Sequence, residues 1–209
     1  MTTDIGSDSA LLSDWRVYPD DSLPPILEAA LECFVDQGYH GTTIRTVAAS
    51  ANLSVPGLYH HYSSKQDLLV AIVDHAMAEL WERSVRALQE AGDRPERRLD
   101  LLIECLVLFH AHRRKLAFIA ASEIRSLVGD ARIALIAARD RQQRLMDQAL
   151  SDGVAQGVFT TPLAIEASRA LVTMCTGVAQ WYRHDGPMTP DELARDYILI
   201  ARMTAGCEV

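Results

Sequence analysis

The sequence lacks the features that mark membrane-inserted and secreted proteins. It has no apolar run near the roughly 18–20 residues that a membrane-spanning helix needs. The amino-terminal stretch MTTDIGSDSA is acidic and polar, whereas a secretory signal is basic and then apolar. We therefore expect no membrane association and a cytoplasmic location.

Cysteine is scarce, and its spacing excludes common metal and disulfide patterns. The four residues lie far apart, at Cys33, Cys105, Cys175 and Cys207. No CxxC or Cys/His ligand spacing occurs, so we expect reduced thiols, the first three of them buried in apolar helices. His110 and His112 are two residues apart and cannot share a helix face. The sequence also lacks a nucleophile elbow and a phosphate-binding loop, so it predicts neither an enzyme nor a cofactor.

Glycine and proline clusters and alternating β-branched runs are also few, which favours an all-α chain. The 209 residues are 49% hydrophobic, enough for one or two helical units with a real core. We predict about nine helices, with a three-helix unit first and a helical bundle after it.

The most informative stretch runs from Gly41 to Gln66. Its first part, 44–50, has apolar residues at helical spacing, and Thr42 or Thr43 can cap it. Asn52 stands in the following turn, where a left-handed backbone is expected. Ser54 is a cap for a second short helix with Pro56 in its first turn. The pattern predicts a helix-turn-helix whose second helix can enter a DNA major groove.

The charge distribution is compatible with DNA binding although the net charge is −8. Between residues 37 and 66 there is no Asp or Glu, whereas Arg45, Lys65 and three histidines are present. A local acid-free face can contact phosphate because recognition depends on the field at the docking surface. Since that face is only weakly basic, we expect sequence-specific rather than strong non-specific affinity.

The same stretch resembles the DNA-binding signature of the tetracycline-repressor (TetR) family of bacterial regulators. The matching residues are Thr42-Thr43-Ile44, Val47-Ala48, Ala51-Asn52-Leu53-Ser54, Gly57-Leu58-Tyr59, His61-Tyr62, Ser64-Lys65 and Asp67-Leu68. Two residues depart from the family pattern, Asn52 for a common Gly and Tyr62 for a frequent Phe. Beyond about residue 90, the likeness is limited to length and helical pattern.

Side-chain chemistry selects the candidate DNA contacts. Hydroxyls and cations suit phosphate oxygens, Arg45 and His60 carry donors for base edges, and Pro56 suits a thymine methyl. The predicted set is Thr42, Thr43, Arg45, Ser54, Val55, Pro56, Gly57, Tyr59, His60, His61 and Lys65. For His61, packing in the core is an equally good interpretation.

The domain organisation follows from breaks in the helical pattern. Residues 1–21 are predicted to be a flexible acidic tail, with Trp15 and Tyr18 as aromatics that can dock. Residues 22–66 form the DNA-binding domain and residues 67–209 the ligand-binding and dimerisation domain. A helix from Lys65 to about residue 91 connects them, and five more follow, at about 95–112, 114–127, 131–156, 162–183 and 190–205.

The resemblance implies a homodimer that binds a palindromic operator in double-stranded DNA. It also implies a small-molecule effector, and the run from Gln180 to Arg183 resembles members that sense coenzyme A thioesters. The candidate ligand residues are Phe109, Phe118, Ser122, Arg125, Met146, Gln180, Trp181 and Arg183. A repressor released by an apolar or acyl-CoA-like effector is the preferred hypothesis. A DNA-binding protein without ligand control and an enzyme are the alternatives.

Overall fold

The computed structural model describes residues 14–19 and 23–207. Among these residues it contains nine α-helices, one short 3₁₀ helix at Glu123–Arg125 and no strand, which confirms the predicted all-α class. The helices are α1 (Pro25–Gly41), α2 (Ile44–Ser50), α3 (Val55–His61), α4 (Lys65–Ala91), α5 (Pro95–His112), α6 (Arg114–Ser122), α7 (Gly129–Ala155), α8 (Ala164–Trp181) and α9 (Pro190–Ala205). None of the described helices is long and apolar enough to cross a membrane.

Helices α1 to α3 form a small unit around a shared apolar centre. Phe34 from α1, Val47 from α2 and Leu58 from α3 are all at most 1% exposed. Helix α1 is kinked at Gly38, which takes a non-helical positive φ of 72°, and one further turn beyond the kink reaches Gly41. A left-handed backbone of this kind favours glycine.

Helix α4 connects this unit to the remaining helices. Ser64 caps it by accepting a hydrogen bond from the Asp67 N–H, as the sequence predicts for a helix that starts at Lys65. Its 27 residues correspond to a length of about 40 Å. Its inner stripe is buried from Leu68 to Ala91, so one rigid helix takes part in both units.

Helix α5 is the centre of the larger bundle. It packs against α4, α6, α7, α8 and α9, and its residues from Leu101 to Ile103 and from Cys105 to Ala111 are all buried. A helix that is apolar on every side belongs in the middle of a core. The three predicted buried thiols lie here and in α1 and α8, and Cys207 is half-buried.

Capping residues mark both ends of the last helix, α9. Thr189 and Glu192 form a capping box at the start of α9, which ends at Gly206 in a left-handed conformation. Helix α6 is shorter than predicted and ends at Ser122. The 3₁₀ helix and a turn follow it and allow Leu127 to reach the core, where it is 1% exposed.

The amino-terminal segment differs from the expected flexible tail. Residues 14–19 lie against α4 and α5, and Trp15 is 3% exposed with its indole N–H donating to Glu90. The cause is a set of long-range polar and aromatic contacts that local sequence does not reveal. Residues 1–13 and 20–22 of the predicted tail and helix start lie outside the described residues.

Candidate DNA interface

Two capping hydroxyls fix the geometry of the helix-turn-helix. The Thr43 hydroxyl accepts a hydrogen bond from the Thr46 N–H at 3.1 Å, and the Ser54 hydroxyl accepts one from the Gly57 N–H at 3.1 Å. Between them, Asn52 adopts a φ of 55°. The left-handed turn and the two caps therefore set the direction of α3 relative to α2, as the sequence predicts.

Helix α3 presents one face to the core and the opposite face to solvent. Leu58 is fully buried, whereas the neighbouring Tyr59 is 49% exposed. The predicted contact residues that are exposed are Thr43, Arg45, Ser54, Pro56, Tyr59, His60 and His61, and Val55 and Gly57 are half-buried. The exposed set forms a continuous polar and aromatic surface around α3, which we call the reading face.

Two members of the predicted set point into the protein instead. The Thr42 side chain is only 1% exposed, and its hydroxyl donates to the carbonyls of Cys33 and Gly38 at 2.9 and 2.8 Å. The Lys65 ammonium donates to the carbonyls of Tyr39 and Thr42 at 2.6 and 2.7 Å. Both groups satisfy carbonyls at the end of α1, so Thr42 is poorly placed for phosphate and Lys65 has one free donor left.

One residue of this surface was missed in the sequence analysis. The Thr46 hydroxyl lies 2.8 Å from the Thr43 hydroxyl, and the pair is exposed at the start of α2. A threonine three residues after a capping threonine is the signal that could have identified it. Together the two hydroxyls offer both a donor and an acceptor to a phosphate or a bridging water.

The first carboxylate after the acid-free stretch is Asp67. A hydrogen bond from the Ser63 side chain, and then one from Ser64, hold the pKa of this carboxyl below its ordinary value. Asp67 also lies in the first turn of α4, where negative charge is favourable. Its negative charge therefore stabilises the start of α4, at the edge of the reading face.

The eight predicted ligand residues fall into two environments. Phe109 and Met146 are buried in the bundle core at 2% and 1% exposure. The remaining residues are exposed, at Phe118, Ser122 and Arg125 near the end of α6 and at Gln180, Trp181 and Arg183 near the end of α8. The predicted ligand residues therefore do not form one lining: two lie in the core and the others lie at the ends of two helices, since it is the start of α6 that lies next to the end of α8, with Arg114 donating to the Ala179 carbonyl at 3.2 Å.

Several large apolar side chains are exposed on α8 and α9. Trp181 at the end of α8 is 52% exposed, and Leu163, the N-cap of α8, is 59% exposed. On α9, Ile200 is 42% exposed and Met203 is 69% exposed. A Cβ placed on Gly177 would meet no atom within 4 Å. We call these exposed apolar residues, together with Gly177, the outer α8–α9 face.

Family models match both parts of this architecture. Residues 26–72 match the model described as bacterial regulatory proteins of the tetR family. Residues 92–204 match the model of the tetracyclin repressor-like C-terminal domain. The chain belongs to the tetR family of bacterial regulatory proteins. It is accordingly a DNA-binding transcriptional regulator and not an enzyme, as predicted.

Individual relatives of this TetR-family regulator cover most of its length. It is 28% identical over 177 residues to the HTH-type transcriptional repressor KstR2 of Mycobacterium tuberculosis H37Rv, covering 84% of this chain and 88% of the relative. A tetR-family regulatory protein from Rhodococcus RHA1 superposes with a TM-score of 0.82 at 26% identity, covering 91% and 100% of the two chains. AibR in complex with isovaleryl coenzyme A and operator DNA gives a TM-score of 0.76 at 26% identity, covering 88% and 97%.

Proposed function

We propose that this TetR-family regulator is a homodimeric repressor that a small apolar or acyl-CoA-like effector releases from a palindromic operator. The proposed binding to operator DNA is supported by the reading face. Its helix is anchored by buried Leu58 and by two capping hydroxyls, and its outer residues are exposed without an acid among them. Such a helix presents its side chains to the major groove in a fixed orientation.

Within the reading face, the proposed roles follow from side-chain chemistry. Arg45 and His60 supply donors for base edges or phosphates, and Tyr59 supplies a hydroxyl at the end of an exposed ring. Thr43 and Thr46 contact phosphate next to the start of α2. Lys65 acts mainly as a positioning residue, since two of its three N–H groups hold the end of α1.

The proposed homodimer is supported by the outer α8–α9 face. An exposed apolar surface of this kind marks an interaction site. Small residues at its centre, Thr173 and Gly177, allow two helices to approach closely. Two-fold pairing would give two reading faces for half-sites about one helical turn, or a multiple of it, apart.

The effector proposal is supported by the relatives and by the rim of α8. KstR2 is named as a repressor, and AibR was crystallised with both isovaleryl coenzyme A and operator DNA. In this chain Trp181 and Arg183 provide an exposed indole and guanidinium, which suit an adenine ring and a phosphate. Phe109 and Met146 lie in the packed core of the bundle and are not part of this rim.

The proposed mechanism is a shift between two populations of the dimer. The effector favours the state in which the reading faces no longer match the half-sites. Helix α4 transmits the change because it is continuous from the reading unit into the bundle. At a length of about 40 Å, a tilt of about 5° moves its end by about 3.5 Å.

Operator binding is tested by footprinting the DNA next to the gene and by measuring affinity for the protected site. We expect Tyr59→Ala and Arg45→Ala to lower affinity about tenfold or more, a loss of about 1.4 kcal/mol or above. Arg132→Ala, an exposed arginine on α7, is the matched control and should leave affinity unchanged. No protected site, or equal affinity for all three variants, would contradict the assignment.

The dimer and the effector are tested separately. Met203→Asp on the outer α8–α9 face should shift the protein to monomer in sedimentation velocity. Ile133→Asp is the matched control, because Ile133 lies on α7 and is 67% exposed, close to the 69% of Met203. This variant should remain a dimer. Isovaleryl coenzyme A is the first effector probe, followed by longer acyl thioesters. If no thioester binds and the dimer still represses, a regulator without ligand control is the better description.

A further inference from the structure

The segment of residues 14–19, which precedes the reading unit in the chain, is docked on the bundle. We call these six residues the strap. Trp15 is 3% exposed, and its indole N–H donates to the Glu90 carboxylate on α4 at 2.8 Å. A buried indole with a satisfied N–H is a specific contact and not the behaviour of a solvated tail.

Arg16 joins the strap to two helices at once. Its guanidinium donates to Glu90 on α4 at 2.7 Å and to Glu104 on α5 at 2.5 Å. The guanidinium also lies over the Trp15 ring, 3.9 Å from the centroid. Fork-shaped pairing with two carboxylates fixes orientation as well as position.

Arg83 of α4 holds the strap from the other side. It donates to the carbonyls of Trp15 and Val17 at 2.6 and 2.9 Å. Its guanidinium lies 3.7 Å from the centre of the Tyr18 ring, and His112 of α5 stacks on that ring at 4.5 Å. Tyr18 is thus enclosed by a cation and an imidazole, although its buried hydroxyl has no partner.

The strap gives the reading unit a further connection to the bundle, because it is covalently joined to α1 through the chain and held to α4 and α5 by hydrogen bonds and ion pairs. Only six residue steps separate Pro19 from Pro25 at the start of α1, so the two points can be at most about 20 Å apart. The other connections are α4 itself and the packing of α1 on α6, where Lys115 forms an ion pair with Glu32 at 2.6 Å. We propose that the strap limits how far the reading unit can move relative to the bundle, and thereby sets the range over which α4 positions α3.

The strap also touches the region to which the effector is assigned, and this step rests on the proposed function. The His112 ring that stacks on Tyr18 lies 5.9 Å from the His184 ring, which lies 5.4 Å from the Tyr182 ring. Trp181, the proposed rim residue, is next to Tyr182 with ring centroids 6.3 Å apart. A series of neighbouring rings therefore connects the strap to the proposed rim.

The restraint is measured as a distance within one chain. Spin labels are attached at Ser50→Cys in the reading unit and Gln156→Cys in the bundle, both exposed positions, in a Cys207→Ser background. Labelled protein is diluted into unlabelled protein so that each chain reports on itself. Electron–electron double resonance then gives the distribution of distances between the two units.

Arg16→Glu is the main variant because it places a third carboxylate beside Glu90 and Glu104. We expect the distance distribution to broaden roughly twofold in this variant and in a chain lacking residues 1–19. Arg97→Glu, which removes the other arginine partner of Glu90, and a chain lacking residues 1–13 are the matched controls and should keep the wild-type width. A wild-type distribution in both strap variants, with native helix content in circular dichroism, would overturn the proposal.

Operator affinity provides a second readout. The strap variants should bind the footprinted site about fivefold more weakly with an unchanged salt slope, because no phosphate contact is lost. Equal affinity would show that the strap has no influence on the reading faces. If the wild-type protein protects no DNA at all, the proposed function fails, while the distance measurement still decides for or against the strap.

Discussion

The buried His110 in the centre of α5 makes folding stability depend on pH in a predictable way. Its side chain is 6% exposed, and its Nδ1 lies 2.7 Å from the Leu106 carbonyl oxygen. Burial lowers the pKa of His110 from 6.5 to about 4, against the opposing influence of that carbonyl. The unfolded chain therefore takes up a proton below about pH 6.5, while the folded chain keeps the ring neutral down to about pH 4.

The size of the effect follows from these two pKa values. The neutral ring is favoured in the folded state, so the stability it preserves is fully present above pH 6.5 and is lost as the pH falls toward 4. Linkage between the two values gives a loss of about 2 kcal/mol between pH 7 and pH 5, and about 3 kcal/mol by pH 4. A typical domain has only about 5–15 kcal/mol of stability, so this loss is easily measured.

The assay is urea unfolding at several pH values for the wild type and for His110→Leu. The backbone N–H at position 110 still donates to the Leu106 carbonyl in the helix, so the substitution leaves no new unpaired group. Between pH 7 and pH 4, we expect the free energy of unfolding to fall by about 3 kcal/mol less in the variant than in the wild type. Parallel curves for the two proteins would refute the reasoning, because other acidic and basic groups affect both proteins alike.

Two further substitutions test packing and the role of Lys65. Gly153→Ala would place a methyl group about 2.1 Å from the Phe159 ring, so the melting temperature should fall by an amount corresponding to about 1–3 kcal/mol. The matched control is Gly41→Ala, whose added methyl group would make only an ordinary contact with Gln37 at 3.8 Å, and it should keep the wild-type melting temperature. Lys65→Met removes two hydrogen bonds to carbonyls, and we expect it to destabilise the reading unit by about 1–3 kcal/mol in urea unfolding. Full stability with weaker DNA binding would instead assign Lys65 to direct phosphate contact.

Much of the fold was predictable because its boundaries depend on local chemistry. A capping hydroxyl and the N–H that it satisfies lie within three residues of each other, so Ser54 marked the start of α3 directly and the start of α2 was narrowed to Thr42 or Thr43, of which Thr43 is the cap. The same holds for Asn52, whose left-handed backbone closes the turn. The reading face then follows, since two short helices with known ends and one apolar stripe each can pack in few ways.

The remaining features depend on partners distant in the sequence. Arg16 pairs with carboxylates 74 and 88 residues away, and no local pattern distinguishes it from a solvated arginine. The same holds for Lys65, whose partners are main-chain carbonyls and therefore carry no sequence signal. The ligand residues were predicted from residue type and, for the run from Gln180 to Arg183, from a family resemblance, and neither signal reports burial, so Phe109 and Met146 lie in the core while the others lie on the surface.

These contacts change how the connection between the two units is understood. A single rigid α4 would allow the reading unit to pivot freely about the corner at Ser64, because one attachment fixes position but not orientation. Three features of the structure restrict that pivot: Lys65 binds the end of α1 to the start of α4, α1 packs on α6 with an ion pair between Glu32 and Lys115, and the strap holds the amino-terminal end of the reading unit to the bundle. A reading face with few cations needs such restriction, because its affinity for DNA rests on the match of two fixed helices to two half-sites more than on phosphate attraction.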